Sequence, residues 1–168
     1  MTNHVTALYF SPTLTTKKVV TTIAKGIAER LHIPYSEVDI TTPAQREGKL
    51  VFDEGDLVVF GAPVYIGRMP NLISPYFKTI TGGGALGVPV AVYGNRAYDD
   101  GLIELRDIME EDGFRLVAAG AFVGEHTFSR ILGGGRPDGE DLGIAERFGC
   151  EIAQKVLLSG ADAAGRVE

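Results

Sequence analysis

The sequence predicts a three-layer α/β fold: an open, five-stranded parallel sheet in the order 2-1-3-4-5, with helices on both faces. Two observations predict it. Short apolar or β-branched runs alternate with segments whose apolar residues recur at helical spacing, and such alternation implies parallel strands joined by crossover helices. One run, Leu57-Val58-Val59-Phe60, is apolar at every position, as a strand buried on both faces must be. Right-handed crossovers leave few orders for five such strands.

The elements follow in turn. Val5 to Phe10 is β-branched and aromatic and stops at Ser11-Pro12, so it reads as the first strand. Val19, Val20, Ile23, Ala24, Ile27, Ala28 and Leu31 then mark a helix, with Thr15 or Thr16 as N-cap and Pro34 closing it. Tyr35 to Ile40 is a second, shorter strand, and residues 41 to 55 are polar and weakly patterned. The third strand ends at Gly61-Ala62-Pro63. A helix is expected from near Pro70 to about Ile80, where Thr81-Gly82-Gly83-Gly84 breaks it. Val88 to Tyr93 is the fourth strand, with Pro89 tolerable only near its start. A helix with Leu102, Leu105, Ile108 and Met109 inward ends at Gly113, and Phe114 to Val123 is the fifth strand. After Gly133-Gly134-Gly135, a last helix buries Ala145, Phe148, Gly149, Ile152, Ala153 and Val156, with Asp138 or Asp141 as its cap. Residues 1–160 read as one domain and 161–168 as a frayed tail.

Bulk properties narrow the function. A chain of 168 residues suits one sizeable core. A net charge of -6 argues against nucleic acid, whose binding needs a basic face, and is compatible with basic protein partners. The one cysteine, Cys150, permits no disulfide within the chain and no thiolate-ligated cluster, and it reads as an inert packing residue on or beside the buried face of the last helix. No apolar run is long enough to span a bilayer, and a cytoplasmic location is the default expectation.

In an open parallel sheet, ligands bind beyond the carboxyl ends of the strands, where the strand order reverses. That crevice falls between strands one and three. The loop Ser11-Pro12-Thr13-Leu14-Thr15-Thr16 enters it with four hydroxyls just before a helix. A helix N-terminus offers unpaired N–H groups and a favourable dipole to an anion, so the loop can hold a phosphate without a cation. The plainer reading is a Ser/Thr-rich turn and cap. The second loop runs Pro63-Val64-Tyr65-Ile66-Gly67-Arg68-Met69-Pro70. Tyr65 could lie flat on a planar ligand, Gly67 could let backbone approach its edge, and Arg68 could meet negative charge there. Alternatively, Tyr65 and Met69 only cover the core edge. In the third loop, Gly94 and Asn95 suit tight backbone near a ligand and Tyr98 is a second stacking candidate, whereas Arg96 reads as a surface residue and Asp99 and Asp100 as helix caps. Gly124 to Ser129 would form an outer wall, with His126 as either a proton donor or a structural residue. No glycine-rich dinucleotide fingerprint follows the first strand, and neither the P-loop nor the nucleophile-elbow motif occurs anywhere in the chain.

Taken together, these loops resemble the flavodoxin superfamily, most closely the flavodoxin domain of flavodoxin–ferredoxin fusion proteins. The likeness rests on Tyr9-Phe10-Ser11-Pro12-Thr13 with Thr15-Thr16-Lys17, on Gly61-Ala62-Pro63-Val64-Tyr65 with Gly67-Arg68 and Pro70, on Tyr93 through Asp100, on Glu125-His126 with Ser129, and on Gly135-Arg136-Pro137-Asp138. The resemblance implies noncovalent FMN, with its phosphate on Ser11, Thr13, Thr15 and Thr16 and its ring between Pro63 to Arg68 and Gly94 to Tyr98. It implies electron transfer with a redox partner such as a ferredoxin or a reductase. The sequence departs from the family in three respects. Leu14 stands where glycine is usual, there is no Trp to sandwich the ring, and the Cys-rich ferredoxin half is absent, so a cluster partner would be a separate chain. Short loops around the ring favour an electron carrier over a reductase of a quinone or other small molecule, the alternative suggested by Arg68, Arg96 and His126. A flavin-free interaction module is the third reading, suggested by Leu14.

Overall fold

The structure, a computed structural model, describes residues 1–129 and 131–159; the expected frayed tail at 161–168 lies outside the described residues. The strands are β1 (His4–Tyr9), β2 (Tyr35–Asp39), β3 (Asp56–Pro63), β4 (Leu86–Tyr93), β5 (Arg115–Leu116) and β6 (Gly120–Val123). The helices are α1 (Thr15–Leu31), α2 (Ser74–Phe77), α3 (Gly101–Glu111) and α4 (Gly139–Ser159). All strand pairs are parallel, in the order β2-β1-β3-β4-β5, and β6 also pairs with β4. This is the predicted order.

Alternation along the strands splits the core into two layers. Val5, Ala7, Tyr9, Val59 and Val90 face α1 and α4, where Val20, Ile23, Ile27 and Ile152 meet them. Leu8, Val58, Phe60 and Ala91 face the other way, against Phe77, Leu105 and Met109. Among the described residues, no helix is long and apolar enough to cross a membrane.

The structure corrects three expectations. The predicted fifth strand is two pieces, β5 and β6. The carbonyls of Gly87 and Tyr93 accept bonds from Val117 and Gly124, so alternate β4 residues, Pro89 included, face that strand. Proline has no N–H to give it, and the ladder lapses between its two pieces. The helix expected from Pro70 to Ile80 shrinks to the four residues of α2 within a run of turns. Pro75 lacks the N–H that would reach the carbonyl one turn back, and its ring crowds that carbonyl. Finally, Cys150 is exposed rather than packed.

At the last helix the expectation holds: Asp138 Oδ1 accepts the N–H groups of Glu140 and Asp141 at 2.9 and 3.0 Å. Asp100, by contrast, makes no side-chain cap bond at α3.

Candidate functional site

The loops after β1, β3, β4 and β6 meet beyond the carboxyl edge of the sheet. Neither Thr15 nor Thr16 caps α1. The N-cap is Leu14, in the left-handed region at φ 64° and ψ 0°, without a side-chain bond. Its N–H donates to the Ser11 carbonyl and its carbonyl accepts from Lys18, both at 3.2 Å, so the protein's own bonds hold the turn. Ser11 supplies the missing cap from further back: its buried hydroxyl accepts the Lys17 N–H at 2.9 Å. Its own N–H donates to Thr41 Oγ1 at 3.0 Å, which ties the loop to the end of β2.

Those bonds leave a defined donor set. Among the described residues, the N–H groups of Thr13, Thr15 and Thr16 have no backbone partner. The hydroxyls of Thr13 and Thr15 lie 3.2 Å apart. Thr16 is 2% exposed, yet among the described residues its hydroxyl has no protein hydrogen bond. Lys17, the nearest cation in the sequence, does not complete the set. Lys17 is turned to Glu37 at 3.4 Å and sits over the Tyr9 ring. Neutral N–H and O–H donors at a helix N-terminus fit a phosphate monoester.

The second loop is a tight hairpin. Tyr65 and Arg68 exchange backbone bonds at 2.9 and 3.1 Å across Ile66 and Gly67. Both central residues are left-handed, at φ 52° and 73°, the pattern of a type I′ turn. Glycine adopts it freely; a β-branched residue is strained there. Ile66 is nonetheless the fully exposed tip. Gly67 also has no room for a side chain, since a Cβ would fall 2.6 Å from an Asp99 carboxylate oxygen in the third loop. Val64 is bonded to β4 through its N–H and packs on Gly101 at the start of α3. Tyr65 is 39% exposed, and burial of the rest of its ring raises its phenol pKa. Met69 belongs to the α3-side core, as its plainer reading held.

Arg68 is committed. Its Nε donates to Glu104 Oε2 at 2.9 Å, and the same oxygen accepts the Met69 N–H at 2.9 Å. Burial pushes the Glu104 carboxyl up, but bonds from Arg68 and Met69 outweigh it and hold the pKa below the ordinary value.

In the third loop, Asn95 and Asp99 are left-handed at φ 56° and 38°. Tyr98 stands edge-on to Tyr93 with centroids 5.3 Å apart and is 42% exposed, and Arg96 is exposed as expected. The fourth loop closes the ring of loops. A Cβ at Gly124 would lie 2.4 Å from Thr15 Cγ2, so this glycine lets the fourth loop touch the first. His126 lies beside Gly94, and its Nδ1 accepts the Phe128 N–H at 3.1 Å. That bond places the ring proton of the neutral form on Nε2. Arg136 anchors this loop to α4 by pairing with Asp141 through both Nε and a terminal nitrogen.

The candidate residues therefore fall at one edge of the sheet, in its loops, the first turn of α1 and the last residue of β3, and the first three loops each contain left-handed non-glycine residues. Sequence reading missed Thr41 and Glu104, which hold the first and second loops. Both act across thirty or more residues of chain, and nothing local marks them.

No protein-family model matches the chain, and no curated protein matches its sequence. Solved structures do match. A flavodoxin from the domain Archaea aligns with a TM-score of 0.62 at 17% identity, over 92% of this chain and 99% of that one. A Streptococcus pneumoniae TIGR4 flavodoxin aligns at 0.63 with 16% identity, over 91% and 99%. The apo form of an NADH:FMN oxidoreductase aligns at 0.64 with 14% identity, over 91% and 89%. Likeness at such identity establishes the flavodoxin-like fold.

Proposed function

We propose that this chain binds FMN without a covalent bond and transfers electrons to or from a redox protein. The observation that carries the reading is the donor set of Thr13, Thr15 and Thr16 at the α1 N-terminus, placed where the strand order reverses, whose N–H groups have no backbone partner among the described residues. Those residues would hold the phosphate, with Ser11 shaping the loop beneath them. Pro63 to Arg68 and Gly94 to Tyr98 would flank the ring, with Tyr65 and Tyr98 offering aromatic cover in a chain without Trp. FMN, when bound, supplies one- and two-electron chemistry; the protein's share is to grip, orient and shield it. The flavodoxin fold and the flavodoxins among the matching structures support this reading. The narrower likeness to fused flavodoxin–ferredoxin proteins belongs to the proposal, with a ferredoxin or a reductase as the partner and the cytoplasm as the setting.

A second reading, direct reduction of a quinone or similar small molecule, draws support from His126. Its Nδ1 is engaged as an acceptor, which leaves an Nε2–H donor beside Gly94. Arg68 contributes less to that reading than its sequence position suggests, because Glu104 holds it.

The purified protein should be yellow, with flavin absorption bands, and should release FMN on denaturation. Colourless protein that takes up no added FMN refutes both readings and leaves a flavin-free interaction module. Saturable turnover of a quinone with NAD(P)H, with no partner protein present, decides for the reductase.

A further inference from the structure

We propose that Glu104 is a positioning residue: a latch on α3 that holds the strained Tyr65–Arg68 hairpin in the shape required to flank the flavin. This rests on the FMN reading. The hairpin has a reason to move. Ile66, a β-branched residue, is left-handed at φ 52° and fully exposed, so no packing at its side chain offsets the backbone strain. Its two cross-turn bonds bridge only Tyr65 and Arg68, and a hairpin this short does not hold itself in water.

The restraint comes from α3. A single oxygen, Glu104 Oε2, accepts both Arg68 Nε and the Met69 N–H at 2.9 Å. Met69 is 2% exposed, so its N–H has no water to turn to, and Glu104 is the partner that satisfies it. The carboxylate thus grips the hairpin's last residue by its side chain and the next by its backbone. The fit of Gly67 against Asp99 adds a second stop on the α3 side. Losing the latch frees Ile66 to relax, and the loop then meets the ring in several shapes instead of one.

The test uses the full chain as wild type, Glu104→Ala, Glu104→Gln and Ile66→Gly, with amide hydrogen exchange and titration with FMN. In Glu104→Ala, exchange at the Arg68 and Met69 amides should accelerate by about tenfold or more relative to β1 and β3 amides, and FMN should bind about tenfold more weakly. Glu104→Gln keeps an oxygen where Oε2 stands, so it should restore both within about threefold. With Ile66→Gly in place, Glu104→Ala should cost FMN affinity less than about threefold, because little strain remains to be held. Unchanged relative exchange at Arg68 and Met69 overturns the latch, whether or not flavin binds. Faster exchange with unchanged FMN affinity overturns the positioning role. Failure of Glu104→Gln to rescue overturns it too, and assigns the effect to the charge at the first turn of α3. Wild-type protein that takes up no FMN refutes the parent reading instead, and the exchange measurement still decides the latch.

Discussion

Thr16→Val tests the phosphate site most directly. Thr16 is 2% exposed, and its Cγ2 faces Gly61, 3.1 Å from where a Cβ would stand. Valine keeps that methyl and the side-chain volume while removing the hydroxyl. Because the hydroxyl has no protein partner among the described residues, folding loses no bond, and stability should change by less than about 0.5 kcal/mol. Binding is a different matter. A hydrogen bond to a charged phosphate is worth roughly 1.5–3 kcal/mol, which converts to a loss of about ten- to a hundredfold in FMN affinity. Riboflavin carries no phosphate, so its affinity should hold within about twofold on the same scale. Quenching of flavin fluorescence on titration with apoprotein measures both. Equal losses for the two flavins would show that Thr16 shapes the pocket without touching phosphate. An unchanged FMN affinity would remove Thr16 from the site altogether.

Leu14 allows a similar isolation of backbone strain. Leu14→Ala and Leu14→Gly both delete its half-exposed side chain, but only glycine relieves φ 64°. Relief of about 1–2 kcal/mol, less roughly 0.5–1 for the freer unfolded chain, leaves the glycine variant more stable, by a few degrees at most in Tm. Thermal melts showing the alanine variant more stable would contradict the left-handed cap. Asp112 predicts a pH dependence. Burial raises its carboxyl from 3.8 to about 6, and its buried Oδ2 has no hydrogen-bond partner. The unfolded chain therefore releases this proton first, and stability falls as pH rises from about 4 to about 6. Asp112→Asn should stabilise the protein by about 1–2 kcal/mol at pH 8 and by much less at pH 4; chemical denaturation at both values checks it. Arg136→Lys cannot reproduce the forked bond to Asp141, whose carboxyl that bond holds below its ordinary pKa. It should lower stability in the same assay, with a shrinking penalty as acid protonates Asp141.

The sheet was legible in the sequence because burial writes itself into the strands. Leu57 to Phe60 could lie nowhere but at the centre, and the apolar spacing in α1 and α4 faced where it should. Misreadings came where one residue overrides a pattern. The apolar positions from Pro70 to Ile80 do suggest a helix, but Pro75 breaks its ladder from within. The run from Phe114 to Val123 does suggest one strand, but the obstacle, Pro89, lies in its neighbour. Pro75 stands inside the segment it alters and could have been weighed locally, whereas Pro89 stands outside the segment it alters and is visible in no window of that local sequence.

The site divides along the same line. The expected location of the candidate site followed from topology alone, and its candidate donor types from the residues of the first loop. What the sequence did not carry was the restraint on those loops, because each restraint joins distant positions: Thr41 on Ser11, Glu104 on Met69, Thr15 against Gly124. Strain supplies a partial remedy. Of the five left-handed non-glycine residues among those described, Leu14, Ile66, Asn95 and Asp99 lie in the three loops proposed to meet the flavin, and only His32 lies elsewhere. Asn and Asp tolerate that geometry, whereas Leu14 and Ile66 do not. A fold free to choose would place glycine at both. Ordinary residues held in costly conformations need outside bonds to keep them there. Ser11, Lys18 and Glu104 make such bonds, so in this protein the strained positions point both to the candidate site and to the residues bonded around it.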